Sequence, residues 1–408
     1  MKWGPEQDKA LSDVADWMND RGTQLYRLFG YAGTGKTTLA KHFAEGIEGN
    51  VLFGAYTGKA AHVLRTKGCP GASTIHSLIY HSKDQGRANL KEMELELGEL
   101  LVELKHEGES EEEINRHPNV INLRQKLEQE RNSLARPIFT LNQDSVVKQA
   151  ELVVIDECSM VDGQMGQDLL SFGVKVLVLG DPAQLPPVFG AGFFTEDVKP
   201  DTMLTDIHRQ AADNPIIAMA TKVRNGQALD LGHYGESEVI EKSAVRQDDV
   251  INCNQVLVGK NATRHASNRR LRSLLGITEE FPVVDDKLVC LRNNSELGLL
   301  NGAIWTIDDI GHMDERLIRM SVCPELGGSP VELEAHMAYF KGDKVEWYER
   351  KDAQEFDYGY ALTVHKSQGS QWDNVMLFDE SWVFRQDKWR WLYTGITRAA
   401  EKITVVRM

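Results

Sequence analysis

Residues 30–38 read GYAGTGKTT and match the spacing G-x-x-x-x-G-K-[ST], with Gly30, Gly35, Lys36 and Thr37 in place. That spacing suits the binding of a polyphosphate. Glycines let the backbone turn tightly and aim its N–H groups at anionic oxygens, a helix starting near Lys36 adds its positive end, and the Lys36 ammonium reaches the β- and γ-phosphates. Gly33, Thr34, Gly35, Lys36, Thr37 and Thr38 are therefore the expected nucleotide-binding residues. Further along, the apolar run Leu152, Val153, Val154, Ile155 leads at once into Asp156 and Glu157. A buried strand there would deliver Asp156 to Mg²⁺, whose other protein ligand would be the Thr37 hydroxyl, and leave Glu157 to orient or deprotonate an attacking water. Gln184 follows another apolar run, in GDPAQLPP, where the prolines fix the loop and hold its amide where it could sense a γ-phosphate. Arg209 and Arg398 are candidate arginine fingers. The Gln7 amide could pair with an adenine edge. The cofactors implied are ATP and Mg²⁺.

A second group of residues carries small donors and single cations. Thr57, Lys59, His76 and Ser77 in the first half are matched in kind by Thr363, His365, Lys366 and Ser367 in the second. Each set suits phosphates of a single strand read without sequence preference. Taken singly, such residues are more often helix caps or packed polar groups. Two such sets on units that approach and separate would inchworm along a strand.

The elements that must hold these residues follow from the pattern. Residues 25–29, LYRLF, read as the buried strand before the phosphate loop, and residues 51–56, 152–155 and 174–179 as further strands of the same α/β unit. A short amphipathic helix over residues 3–19 precedes them, with Leu11, Val14, Ala15 and Met18 on its apolar face. A second α/β unit is expected to begin with a strand at 202–205, followed by a helix at 215–224, a strand at 255–259 and a helix at 261–275. That last helix carries Arg264, Arg269, Arg270 and Arg272, which read either as a phosphate-facing cluster or as a solvated face. Short alternating strands with glycine turns between 301 and 347 predict a small β module.

Residues 84–135 depart from the rest, with 13 acidic and 7 basic residues. Met93, Leu97, Leu100 and Leu104, then Val120, Leu123, Leu127 and Leu134 after a turn, predict an inserted helical hairpin. The chain of 408 residues is long enough for two or more domains. Its net charge of −15 argues, taken alone, against a nucleic-acid partner, but only local charge acts within a Debye length of about 8–10 Å. The five cysteines show neither C-x-x-C pairs nor zinc spacing. No apolar run approaches the ~20 residues that span a bilayer, and the N-terminal residues lack an apolar signal core, so the expected location is the cytoplasm, without a membrane partner.

Taken together, GYAGTGKTT, AYTGKAA, TIHSL, VVIDECSM, GDPAQLPPV, DIHRQ, ALTVHKSQGS and YTGITRA resemble, in order, the motif set of superfamily 1B DNA helicases, specifically the RecD-like and phage Dda-like branch. The resemblance implies an α/β fold of two RecA-like P-loop NTPase domains, with a helical insertion in the first and a small SH3-like β module in the second. Its divisions would be 1–83 with 136–195 (the ATP-binding domain 1A), 84–135 (1B), 196–300 with 353–408 (2A), and 301–352 (2B). It implies ATP-dependent 5′-to-3′ translocation on single-stranded DNA with unwinding at single-strand/duplex junctions, in a bacterial or phage-infected cell, and replication, repair or recombination as the process. Lys36, Thr37, Asp156, Glu157, Gln184, Arg209 and Arg398 match the family's nucleotide-handling positions and Gln7 its adenine-reading glutamine. Thr57, Lys59, His76, Thr363, His365 and Lys366 fall in its strand-contacting motifs. One departure stands out. Relatives carry a short β-hairpin pin often tipped by an aromatic, whereas residues 84–135 contain no Phe, Tyr or Trp. The chain resembles the minimal Dda-like form, expected as a monomer, with the acidic insertion a candidate surface for a replication or repair protein. The alternative reading is an ATP-gated single-strand clamp, or a partner-dependent translocase, without processive unwinding. A ring ATPase that borrows its arginine from a neighbour is a third.

Overall fold

The computed structural model describes residues 3–81, 116–135, 140–186, 192–195, 198–206, 214–294, 297–325, 327–343 and 353–408, together with Leu97, Leu100, Leu104, Ile114 and Val345. Two parallel sheets form the frame. In the first, the strands run in the order Ser73–Thr74, Val51–Ala55, Leu152–Asp156, Lys175–Gly180, Leu25–Gly30 and Thr202–Leu204, all parallel. Their near-continuous apolar runs suit strands covered on both faces. Alternation then sorts the side chains: Leu152, Val154, Leu177 and Leu179 join the core under the helices Pro5–Asn19 and Lys36–Glu45, while Val153, Ile155, Val176 and Val178 pack on the opposite face with Ile75 and Met165. The helix Pro5–Asn19 buries Gln7, Ala10, Val14 and Trp17, one position round from the face that Leu11, Ala15 and Met18 suggest. Trp17, the largest side chain available, takes the core position.

The second sheet has the order Ala361–Thr363, Gln255–Val258, Trp372–Asp379, Ala399–Arg407, Ser237–Glu241 and Gly232–Tyr234, parallel except for the last strand. Thr202–Leu204, expected to open this second unit, is instead the edge strand of the first sheet, in register with Leu28, Phe29 and Gly30. A three-residue strand carries no local signal of which sheet it will join. The β module is a five-stranded antiparallel sheet, and Lys287–Cys290 and Phe356–Tyr358, outside the expected limits 301–352, are two of its strands.

The arginines of the helix Asn261–Leu274 divide by function. Arg264 is buried and pairs with Asp357 at 2.6 Å, and Arg272 forms a two-pronged pair with Asp286, both bonds at 2.9 Å, whereas Arg269 and Arg270 are exposed. The buried pairs fasten this helix to the β module. Removing one partner of such a pair typically costs about 3–5 kcal/mol. In the insertion, the helix Pro118–Ala135 matches the expected second arm, and Leu104, Ile114 and Val120 form a small core with Leu97 and Leu100. Among the described residues no helix is long and apolar enough to cross a membrane.

Candidate nucleotide and strand site

Three neighbouring strands of the first sheet run side by side, and the residues that follow them gather at one edge, the position at which open α/β sheets bind ligands. From Leu25–Gly30 the chain enters the phosphate loop. Gly33 and Gly35 adopt φ of 82° and 80°, a left-handed geometry that glycine reaches without strain, and Gly35 stands at the N-terminus of the helix Lys36–Glu45. The Lys36 ammonium lies over the loop and donates to the Gly30 and Tyr31 carbonyls at 2.6 and 3.1 Å. Thr34 is fully buried and bonds Tyr31, while Thr38 is exposed on the first helical turn. Gln7 is buried beside the loop, accepting from Gly4 N–H and donating to the Thr34 carbonyl, both at 3.1 Å.

From Leu152–Asp156 comes the acidic pair. The Thr37 hydroxyl donates to Asp156 Oδ2 at 2.8 Å, so the two expected metal ligands are already adjacent. Glu157 sits at φ 53°, ψ 43°, a left-handed conformation uncommon for a side-chain-bearing residue and frequent at functional sites. Burial pushes its carboxyl above the usual carboxylate range, with Arg398 opposing and Asp156 adding to the rise. Such a shift moves a carboxylate toward the basicity a general base needs near neutrality.

From Lys175–Gly180 comes the turn with Gln184, which is buried and whose Oε1 has no hydrogen-bond partner among the described residues. A buried amide oxygen without a partner is costly unless a ligand or water completes it. Arg398 reaches toward this pocket from the second unit. It is buried, with its guanidinium anchored on the Thr394 and Ser370 carbonyls at 3.0 and 3.2 Å and on Thr397 Oγ1 at 3.1 Å. Arg209 lies outside the described residues.

Of the expected strand-contact residues, Thr57 and Lys59 meet the second unit directly, at Gly369 and Trp372. A Cβ on Gly369 would stand 3.0 Å from Thr57 Oγ1 and 2.9 Å from the Ala60 Cβ. Thr57 caps the helix Gly58–Thr66 by accepting from Ala60 N–H. Lys59 is buried, 3.8 Å from Glu325 of the β-module region and 4.4 Å from the Trp372 ring centroid, and burial lowers its ammonium to about 8. His76 lies between the Tyr56 and Tyr80 rings, at 5.8 Å from each. Thr363 accepts from Lys366 N–H, His365 packs on Phe384, and burial lowers both histidines below their ordinary range. Lys366 is exposed, whereas Ser367 is fully buried and donates to the Val364 carbonyl. Lys59 and Ser367 thus stand inside the protein, not on an open face.

Sequence reasoning missed two residues of this site. Asp181, the first residue after the strand Lys175–Gly180, is buried with its carboxyl raised by that burial, and Tyr393 donates to it at 2.6 Å. Asp181 could have been found by position alone, since it leaves a strand end next to the phosphate loop. Trp372, which covers Lys59, carried no signal in its local sequence.

The AAA domain model matches residues 3–244, and the UvrD-like helicase C-terminal domain model matches residues 358–406. The ATP-dependent RecD2 DNA helicase of Deinococcus radiodurans is 27% identical over 279 residues, covering 62% of this chain and 36% of that protein. An uncharacterised protein of Acanthamoeba polyphaga mimivirus is 26% identical over 195 residues, covering 45% of this chain and 33% of its own. The chain thus spans about a third of the length of these relatives. Among solved structures, Pif1 helicase of Candida albicans aligns with a TM-score of 0.53 at 17% identity over 100% of this chain and 95% of that one. The Bacteroides Pif1 complex with ADP-AlF3 and ssDNA gives 0.53 at 18% identity, over 99% and 92%. These likenesses give the fold, two RecA-like P-loop NTPase domains. With residues 3–244, more than half of its length, matched by one family model, this chain belongs to the AAA domain family.

Proposed function

We propose that the protein is an ATP-dependent DNA helicase that moves 5′-to-3′ along single-stranded DNA and separates duplex at a junction. The observation that carries this reading is the convergence of both units on one pocket. Lys36, Thr37, Asp156 and Glu157 arrive from the first sheet, and Arg398 of the second unit lies close enough to bias the Glu157 carboxyl.

The donor set fits magnesium. The Thr37 hydroxyl and Asp156 carboxylate are hard oxygen donors 2.8 Å apart, and Mg²⁺ is usually held by one or two protein oxygens with phosphates and water filling the rest. Bound there, it would neutralise charge on the β- and γ-phosphates. The chain's own residues do the remainder. Lys36 releases two loop carbonyls and turns to the γ-phosphate, the loop N–H groups cradle the phosphates, and Gln7 stands beside the loop for the adenine edge. Glu157 accepts the proton of the attacking water, Gln184 completes its bonding on the γ-phosphate side, and Arg209 and Arg398 add positive charge as the bond breaks. Since those arginines belong to the chain after the first sheet, closing on ATP and opening on ADP would change the distance between the units.

Thr57, Lys59, His76, Thr363, His365, Lys366 and Ser367 would hold the strand on this reading, and Thr57 and Lys59 stand at the boundary that such motion would open. Separation of the units would free Lys59 from Trp372 and Glu325 to meet a phosphate. On this reading the protein works as a monomer in the cytoplasm, with the sequence-derived domain limits moved to place Thr202–Leu204 in the first unit, the β module as 2B, and the acidic insertion as a surface for a replication or repair partner. Steady-state ATP hydrolysis with Mg²⁺, with and without an oligo(dT) strand, tests the motor reading. Stimulation by the strand at least several-fold is expected, and hydrolysis indifferent to DNA contradicts it.

A further inference from the structure

The turn at residues 181–185 is held from the second unit at several points. Leu185, 2% exposed, belongs to the hydrophobic core of that unit with Val364, Trp391 and Tyr393. Its N–H donates to Thr394 Oγ1 and its carbonyl accepts from Gln368 Nε2, both at 3.0 Å. Tyr393, 1% exposed, adds a two-sided contact. Its hydroxyl donates to Asp181 Oδ2 at 2.6 Å and accepts from the Ala32 N–H of the phosphate loop at 3.0 Å. Ala32 and Ala183 both pack on the same second-unit core.

One side-chain oxygen therefore registers two loops of the nucleotide pocket against the helix Lys388–Ile396. That helix leads directly to Arg398, whose guanidinium is anchored on the carbonyl of Thr394, the residue after Tyr393. The other side of the same core carries Val364, between the strand-contact residues Thr363 and His365. A buried hydrogen bond to a carboxylate is short-ranged and costly to leave half made, so it responds to sub-ångström displacement of either loop more sharply than apolar packing does. If the ring served only to fill space, the hydroxyl would be superfluous.

We propose that Tyr393 is a positioning residue, the latch through which the state of the nucleotide loops reaches the second unit and the strand it holds. This rests on the motor reading above. Its expected signature is a loss of communication with nucleotide binding kept. Tyr393→Phe retains the ring and removes only the oxygen that joins Ala32 to Asp181.

The test uses the full chain and three measurements: thermal unfolding, steady-state hydrolysis with oligo(dT), and the Kd of fluorescein-labelled oligo(dT) with ADP and with a non-hydrolysable ATP analogue. Y393F should unfold within a few degrees of the parent, bind the strand in ADP within about twofold, and lower kcat about tenfold with a smaller change in KM for ATP. The difference between its two strand affinities should shrink to within about twofold. A Y393F protein that keeps both the parent's kcat and its nucleotide-dependent shift in strand Kd overturns the proposal. Asp181→Asn guards against loss of folding in the first variant. The double variant should be no more impaired than the worse single one, and effects that multiply would show the two groups to be independent, also overturning it. A parent that neither binds oligo(dT) nor hydrolyses ATP overturns the motor reading, and the latch with it.

Discussion

The candidate nucleotide site and the candidate strand-contact boundary are built from similar residue types and organised in opposite ways. In the pocket, Lys36, Thr37, Asp156 and Glu157 stand at the ends of adjacent parallel strands, and their geometry follows from one sheet and one loop. At the boundary, Thr57 bonds its own helix turn, Lys59 pairs with Glu325, and Thr363 and Ser367 bond within the turn that follows the strand Ala361–Thr363. Pocket residues are preorganised by local structure, and boundary residues depend on how two units sit against each other. Catalysis should therefore fail sharply when a pocket residue is lost, whereas strand binding should respond in smaller steps and to conditions.

The largest effect should come from Lys36→Ala, which removes the cation proposed to reach the γ-phosphate and should reduce ATP hydrolysis by about a thousandfold or more in a phosphate-release assay. Residual turnover within tenfold of the parent would detach the pocket from the chemistry. Glu157→Gln follows, with kcat lower by about 10²–10⁴ and nucleotide affinity preserved in equilibrium binding. Parent-like turnover would remove Glu157 as the base.

On the boundary side, Lys59 gives a pH signature. Its ammonium is lowered from 10.5 to about 8 in the folded protein. Between those values the unfolded chain still holds a proton that the folded chain has released, so stability rises with pH through the window and is lost as pH falls through 8. Denaturant unfolding of the parent, referenced to Lys59→Met, should climb by about 1.4 kcal/mol per pH unit between pH 8 and 10. A flat difference would mean that Lys59 is not enclosed by Trp372 and Glu325. The smallest effect belongs to exposed Lys366. Lys366→Ala should weaken oligo(dT) binding a fewfold and reduce the salt slope by about 0.7. An unchanged slope would take Lys366 off the strand path.

What was legible in the sequence divides along the same line. The phosphate loop, the acidic pair and the loop of Gln184 could be read because each follows an apolar run that can only be a buried strand, and strand ends fix side chains. Even the rotation of the helix Pro5–Asn19 changed only which apolar residues face inward. The edge strand Thr202–Leu204 is not legible as part of the first unit, because its pairing with Leu28–Gly30 is decided by tertiary contact. The buried pairs of Arg264 and Arg272 were not legible either, since their partners Asp357 and Asp286 lie far away or beyond a turn and carry no periodic signal. Tyr393 stood within a recognised motif, yet its bonds to Ala32 and Asp181 cross between units and exist only in the folded chain.

The measurement that tests the central claim most directly is unwinding of a labelled DNA duplex carrying either a 5′ or a 3′ single-stranded tail, with ATP and Mg²⁺ and with Lys36→Ala as the blank. Strand separation from the 5′-tailed substrate alone, absent in the blank, is the predicted result. Separation from the 3′-tailed substrate alone, or from neither despite DNA-stimulated hydrolysis, would contradict it, the second outcome pointing to an ATP-gated clamp on single-stranded DNA.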